Sequence, residues 1–184
     1  MVISVLLKVH ELPYIIFAPG RGAALKIYQT FYKSPIGYIR ITATRDSILT
    51  LDFVEKSQPG DHDLPFCMKE CVKQIDEYFE GRRKAFFLNL APRGTEFQRL
   101  IWRELEKIPF GSVVSYSEIA GIIGKPNAFR AVGSANGKNP ISIIIPCHRV
   151  VGSNGSLTGY GGGLWRKEWL LAHEGGDSPD NIIA

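Results

Sequence analysis

Ile143-Ile144-Ile145-Pro146-Cys147-His148-Arg149-Val150-Val151 is a run of apolar, mostly β-branched residues broken by a proline, a cysteine and a histidine. Such a run reads as a buried strand, and proline belongs at a strand end because it cannot donate to a ladder. The pattern therefore predicts a thiol placed where a core strand emerges. A cysteine attacks only as thiolate, and a neighbouring base is the usual way of supplying that form. Free cysteines are nevertheless more often simply buried, so the rest of the chain has to decide.

The 184 residues suffice for one generous domain or two small ones, and 45% hydrophobic with 22% charged residues is the balance of a globular protein. The net charge of +4 permits a polyanionic partner. Between Gly111 and Val151 the cations Lys125, Arg130, Lys138 and Arg149 face only Glu118. Cys67, Cys71 and Cys147 form no disulfide framework, which points to free thiols and a cytoplasmic location, or a nuclear one in a eukaryote. In the lead from Met1 to Ala24, Lys8, His10, Glu11 and Pro13 interrupt the apolar patches, so neither a signal core nor a membrane span is expected.

Ile27 to Phe31 and Tyr38 to Ala43 flank Ser34-Pro35-Ile36-Gly37 and predict a hairpin, with Ile48 to Phe53 a third strand. Gln58 to Pro65 reads as a loop. From Phe66 to Phe79 apolar residues recur at helical intervals up to Gly81, putting Cys67 and Cys71 one turn apart on the face toward the sheet. With His62 these could suggest a metal site, but a fourth ligand and a close cysteine pair are missing, and no metal is expected. Arg82, Arg83 and Lys84 read as solvated, Phe86 to Leu90 as a short strand, and Ala91-Pro92-Arg93-Gly94 as a linker with the domain boundary near Pro92.

Thr95-Glu96-Phe97-Gln98 has capping-box spacing, and Phe97, Leu100, Ile101, Leu105 and Ile108 mark one helical face before Pro109. Ser115-Tyr116-Ser117-Glu118 repeats the capping signal and opens a helix through Ile119, Ala120, Ile122 and Ile123 to Gly124. After Lys125-Pro126-Asn127 a second helix runs from Ala128 to Asn136. Its residues Ala131, Gly133, Ser134 and Ala135 are small, and Arg130 projects from its first turn. The pair fits either a DNA-binding helix-turn-helix or an ordinary helical hairpin. Gly159-Tyr160-Gly161-Gly162-Gly163 could bring backbone N–H groups to a ligand as a mobile loop, or merely connect. Trp165 to His173 reads as a helix with Leu164, Trp169, Leu170 and Leu171 inward and Glu174 at its end.

The combination of Pro146-Cys147-His148-Arg149-Val150, the preceding helix-turn-helix with Asn139-Pro140, then Tyr160-Gly161-Gly162-Gly163 and Lys167-Glu168-Trp169-Leu170-Leu171-Ala172-His173-Glu174, resembles the O6-alkylguanine-DNA alkyltransferases. The resemblance spans about Thr95 to Glu174 and is looser before that. It implies an α/β (α+β) chain with a ribonuclease-H-like domain of small sheet and helix at 27–92 and a mostly helical, winged helix-turn-helix-like domain at 93–175; the extension at 1–26 is unlike the family's usual start, and 176–184 reads as a flexible tail. It further implies a monomer without cofactor that binds double-stranded DNA through the minor groove and acts once, on O6-alkylguanine and O4-alkylthymine.

By the same resemblance Cys147 is the alkyl acceptor, His148 its base through a water, and Glu174 the carboxylate that orients His148. Tyr116 would donate to guanine N3. The carbonyls of Cys147 and Val150 would receive the guanine amino group, and the Gly161 N–H would reach O6. Many relatives carry serine where this chain has Gly161, so only the backbone contact is expected there. Arg130 is the expected finger that fills the gap left by an extruded nucleotide, with Ala131, Gly133 and Ser134 against the minor groove. Asn139 is the hinge to the active-site strand, while Tyr160, Ser142 and Thr158 shape the pocket. The alternatives are a silent lesion-binding relative, which would lack Cys147, a helix-turn-helix regulator with a redox-sensing cysteine, and a thiol hydrolase.

Overall fold

Alternation places Ile39, Ile41 and Ala43 on one buried face of the central strand of a three-stranded antiparallel meander. The computed structural model describes residues 16–17 and 24–175. A short antiparallel pair, β1 (Ile16–Phe17) with β2 (Ala24–Leu25), precedes the meander of β3 (Tyr28–Ser34), β4 (Gly37–Ala43) and β5 (Ile48–Val54). The rest of the 1–26 extension and the 176–184 tail lie outside the described residues. Helix α1 (Phe66–Phe79) lays Met68, Cys71, Ile75 and Tyr78 on the sheet, an i, i+3, i+7, i+10 stripe. Cys71 is buried there, whereas Cys67 is only half-buried, its thiol against the carbonyls of Thr44 and Arg45. Among the described residues no group of three or more His, Cys, Asp or Glu could hold a metal ion. No described helix is long and apolar enough to cross a membrane.

Phe86 to Leu90 is not the predicted strand. It touches the sheet through a single bridge, Leu90 beside Ile48, and the buried Gln74 side chain bonds both backbone groups of Phe87, taking the place of a strand partner. Phe87 itself is exposed. Arg83 is less solvated than expected because it pairs with Glu77.

The second half is helical. Helix α2 (Glu96–Leu105) begins with the Thr95/Gln98 capping box, as its spacing predicts. Trp102, not counted in the predicted face, is fully buried and donates its indole N–H to Ala135 O at 2.9 Å. A Cβ at Gly94 would collide with the Trp102 ring, which is why the linker carries glycine there. After the two-residue strand β6 (Val114–Ser115), Ser115 and Glu118 cap α3 (Tyr116–Ile122) reciprocally. A 3-10 turn at Pro126–Ala128 leads into α4 (Phe129–Gly137), completing the helix-turn-helix. Strand β7 (Val150–Val151) pairs parallel with β6, and α5 (Leu164–His173) closes the domain. Leu164 does not point inward, being 48% exposed, while Leu170 and Leu171 do.

The decisive stretch is buried, but before Val150 it is not a strand. Ile141 makes one bridge with Leu51 of β5, and Leu51 N to Pro140 O and Ser142 N to Leu51 O, both 2.8 Å, tack the segment onto the sheet edge. Ile144 N then donates to Ser142 O, closing a γ-turn centred on Ile143 at φ 71°, the only positive φ among described non-glycine residues. Cys147 N donates to Ile145 O, closing an inverse γ-turn on Pro146 at φ −81°, ψ 62°. Apolarity here reflects burial on all sides. A β-branched residue at positive φ costs about 1–3 kcal/mol and persists only where the surroundings over-determine it.

Candidate active site

Two turns in succession present Cys147 at the start of a 3-10 turn, Cys147–Arg149. Asn139 holds those turns. Its amide nitrogen donates to Ile145 O at 2.8 Å and to the Cys147 sulfur at 3.1 Å, and its oxygen accepts from Ile141 N at 3.0 Å. Asn136 from α4 donates to Cys147 O at 3.2 Å. The thiol is 4% exposed. Burial pushes its pKa up, opposed by the Asn139 bond and by the charge of Lys167.

His148 is fully buried with Nε2 2.9 Å from Glu174 Oε1. Glu174 also accepts from Arg149 Nε at 2.8 Å and Nη2 at 2.9 Å, from the Tyr78 hydroxyl at 2.9 Å and from Gly111 N at 3.1 Å. Burial alone would raise the Glu174 carboxyl, but the bonds and charges of His148 and Arg149 outweigh it and hold the group well below the usual carboxylate range. Burial lowers the His148 pKa, partly countered by Glu174. A neutral imidazole facing an ionised carboxylate carries its proton on Nε2, so the Nδ1 lone pair is the free base.

Parallel pairing of Val114 with Val150 and Ser115 with Val151 brings Tyr116 beside the thiol segment. Its hydroxyl donates to Thr158 O at 3.1 Å. That carbonyl also accepts from Lys167 Nζ at 3.0 Å, and Lys167 reaches Val150 O at 2.6 Å. Lys167 is completely buried, and burial lowers its pKa to about 8 although Cys147 acts the other way. A negative sulfur would raise the pKa of both Tyr116 and Tyr160, which places the two phenols within electrostatic reach of Cys147. Ser142 lies beside the Tyr160 hydroxyl.

Above this centre opens a cleft of about 470 Å³ lined by Tyr116, Phe129, Arg130, Gly133, Gly137 and the 158–161 flap. Arg130, Ala131 and Ser134 are exposed on α4, while Ala135 faces the core. Gly133 lies against the Tyr116 ring, where an added Cβ would sit 3.7 Å from it. An added Cβ at Gly161 would meet only Gly137 O at 3.6 Å, so packing does not demand glycine there. Lys125 and Lys138 are exposed, but Arg149 is not part of the basic surface, because it is buried against Glu174.

Of the residues singled out from the sequence, Arg130, Gly133, Tyr116, Thr158, Tyr160 and Gly161 line the cleft, Cys147, His148, Glu174, Asn139, Val150 and Ser142 lie at the centre beneath it, and Ala131 and Ser134 are on the exposed face of α4. Arg149, Lys167, Asn136 and Tyr78 were missed as site residues. The first two stand within the quoted motifs, and a cation inside an otherwise apolar helix face was the available signal for Lys167.

Residues 27–92 match the family model for the "6-O-methylguanine DNA methyltransferase, ribonuclease-like domain" and residues 96–176 the one for its "DNA binding domain". A methylated-DNA--protein-cysteine methyltransferase of Methanosarcina barkeri is 46% identical over 154 residues, covering 80% of this chain and 97% of that protein. One from Mycolicibacterium paratuberculosis is 50% identical, covering 81% and 93%. The crystal structure of Mycobacterium tuberculosis O6-methylguanine methyltransferase superposes with a TM-score of 0.73 at 42% identity, covering 80% of this chain and 92% of that one. The M. tuberculosis protein in complex with DNA gives 0.72 at 41% identity, covering 84% and 98%. With family models matching both halves of the chain and relatives 46% and 50% identical over four fifths of it, the chain belongs to the 6-O-methylguanine-DNA methyltransferase family.

Proposed function

We propose that this protein reverses DNA alkylation directly, moving an alkyl group from O6 of guanine, or O4 of thymine, onto Cys147. The sulfur–carbon bond forms as the carbon–oxygen bond breaks, and the guanine leaves with a proton on its ring. The thioether is stable, so each molecule acts once. The observation that carries this reading is a buried thiol bonded by Asn139 and followed directly by the His148–Glu174 pair.

His148 Nδ1 takes the thiol proton through a water, and Glu174 stabilises the resulting imidazolium. Tyr116 exchanges its bond to Thr158 O for guanine N3, stabilising charge on the departing base. The Val150 and Cys147 carbonyls already accept from Lys167 and Asn136, but each oxygen has a second lone pair for the guanine amino group. A duplex hides the reacting carbon, so the nucleotide must be extruded at a cost of a few kcal/mol. In this reading Arg130 and the small, exposed Ala131 and Ser134 of α4 enter the minor groove, and a single copy of the chain suffices for the reaction.

A redox-sensing regulator fits less well, since sensor thiols are accessible and of low pKa, and burial has the opposite effect on Cys147. Incubation with duplex DNA carrying O6-methylguanine should add a single methyl mass to the peptide containing Cys147 and restore guanine stoichiometrically. Repeated turnover, or no mass gain by folded protein, would sink the proposal.

A further inference from the structure

Helix α5 opens with two adjacent cations, Arg166 and Lys167, at the end where the helix dipole disfavours positive charge, and its first turn contains no acid. Both are compensated by backbone carbonyls of other segments. Lys167 takes Val150 O and Thr158 O, the latter near the start of the glycine flap. Arg166 takes its far end: Nη1 donates to Gly162 O at 2.5 Å, and Nε donates to Ile36 O at 2.8 Å in the β3–β4 turn. The guanidinium also lies over two rings, 4.8 Å from the centre of Phe53 and 4.4 Å from that of Trp165. Two glycines make room for this arrangement. A Cβ at Gly37 would sit 3.0 Å from Arg166 Nη2, and one at Gly162 would lie 2.8 Å from both the Phe53 and Tyr160 rings.

The flap residues on either side of Tyr160 have no helix or strand to stiffen them. Arg166 therefore supplies a rigid tie between the N-terminal sheet and the cleft wall formed by Tyr160 and Gly161. We propose that Arg166 is a positioning residue that clamps the glycine flap to the N-terminal sheet and so sets how large an alkyl group the cleft accepts. This rests on the alkyl-transfer reading above. The planar fork is essential to the role, because a lysine has one nitrogen and cannot lie over the rings while spanning two carbonyls from separate nitrogens.

The test compares the full chain with Arg166→Ala, Arg166→Lys and Trp165→Ala, the last removing a half-exposed ring from the guanidinium with little risk to folding. Amide hydrogen exchange across 157–163 and transfer rates from O6-methylguanine and O6-benzylguanine, each in a duplex, are measured. Arg166→Ala should speed flap exchange by about tenfold. It should also raise the benzyl-to-methyl rate ratio by about fivefold or more, since methyl transfer depends most on a tight approach. Arg166→Lys and Trp165→Ala should fall between it and the parent. Unchanged flap exchange, or an equal fall in both rates that leaves the ratio where it was, overturns the clamp. If the parent chain accepts no alkyl group, the transfer reading fails, while the exchange measurement still judges the tie.

Discussion

The Asn139 side-chain amide donates to the Cys147 sulfur at 3.1 Å while its oxygen fixes Ile141 N at 3.0 Å. One side chain thus holds the paired γ-turns and supplies a donor to the nucleophile, which favours the thiolate over the buried thiol. Asn139→Ala should slow transfer by about tenfold or more, in line with loss of a preorganised donor. Asn139→Asp keeps the oxygen for Ile141 but faces the sulfur with negative charge, and should be slower still. Stopped-flow transfer rates at saturating DNA check the order; an Asp variant faster than Ala would refute the donor role.

Glu174 binds three buried side chains: His148, Tyr78, and Arg149, whose Nη1 also donates to Ile108 O. Its folded pKa is held below the unperturbed value of 4.5, so its stabilisation is fully present above that value and is lost as pH falls through the folded one. Glu174→Gln leaves the Arg149 charge buried and should cost about 3–5 kcal/mol at neutral pH. Denaturant unfolding as a function of pH should find the gap between parent and variant narrowing below about pH 5. A gap that is constant or widens toward acid contradicts this account.

Lys167 places a buried cation within electrostatic reach of Cys147. Lys167→Met should raise the thiol pKa, and the inflection in the pH–rate profile for a free alkylguanine should move to higher pH. The lysine's own folded pKa, about 8, lies below its ordinary 10.5. Its favourable contribution to stability is therefore complete above 10.5 and disappears as pH falls through 8. The parent should gain stability between those two values, and the variant should lack that gain. An unmoved kinetic inflection would remove Lys167 from the electrostatics of the thiol.

The meander, α1 and the two capping boxes were legible because each rests on local chemistry: alternation, a 3.6-residue stripe, or a hydroxyl three residues before a Glu or Gln. Ile143 to Ile145 misled for a physical reason. A segment buried on every side is apolar whatever its backbone does, and side-chain chemistry gives no sign that Asn139 and Leu51 take the bonds a neighbouring strand would have taken. Phe86 to Leu90 failed likewise, because Gln74 replaces its partner from a helix. The site was read through motif order, which located the thiol, base and carboxylate but not what surrounds them. Tyr78 lies 96 residues from Glu174, a pairing that only the packing of α1 against the end of α5 creates.

Arg130 stands exposed on the first turn of α4, its guanidinium 5.6 Å from the centre of the Phe129 ring, and both residues line the cleft. It bonds no described side chain, so nothing but DNA should change when it is removed. If Arg130 only neutralised a phosphate, its loss would weaken binding to all sequences and lower the salt slope by about one, as it would for Lys125 or Lys138. A residue that fills the space of an extruded nucleotide behaves differently, because its contribution appears only where there is a stack to hold open. Arg130→Ala should therefore slow repair of duplex O6-methylguanine by about tenfold or more, while the reaction with free alkylguanine changes by less than about twofold. Single-stranded substrate, which needs no extrusion, should fall near the free base. Equal losses on all three substrates would show that Arg130 supports the fold of α4 and not the opening of the duplex.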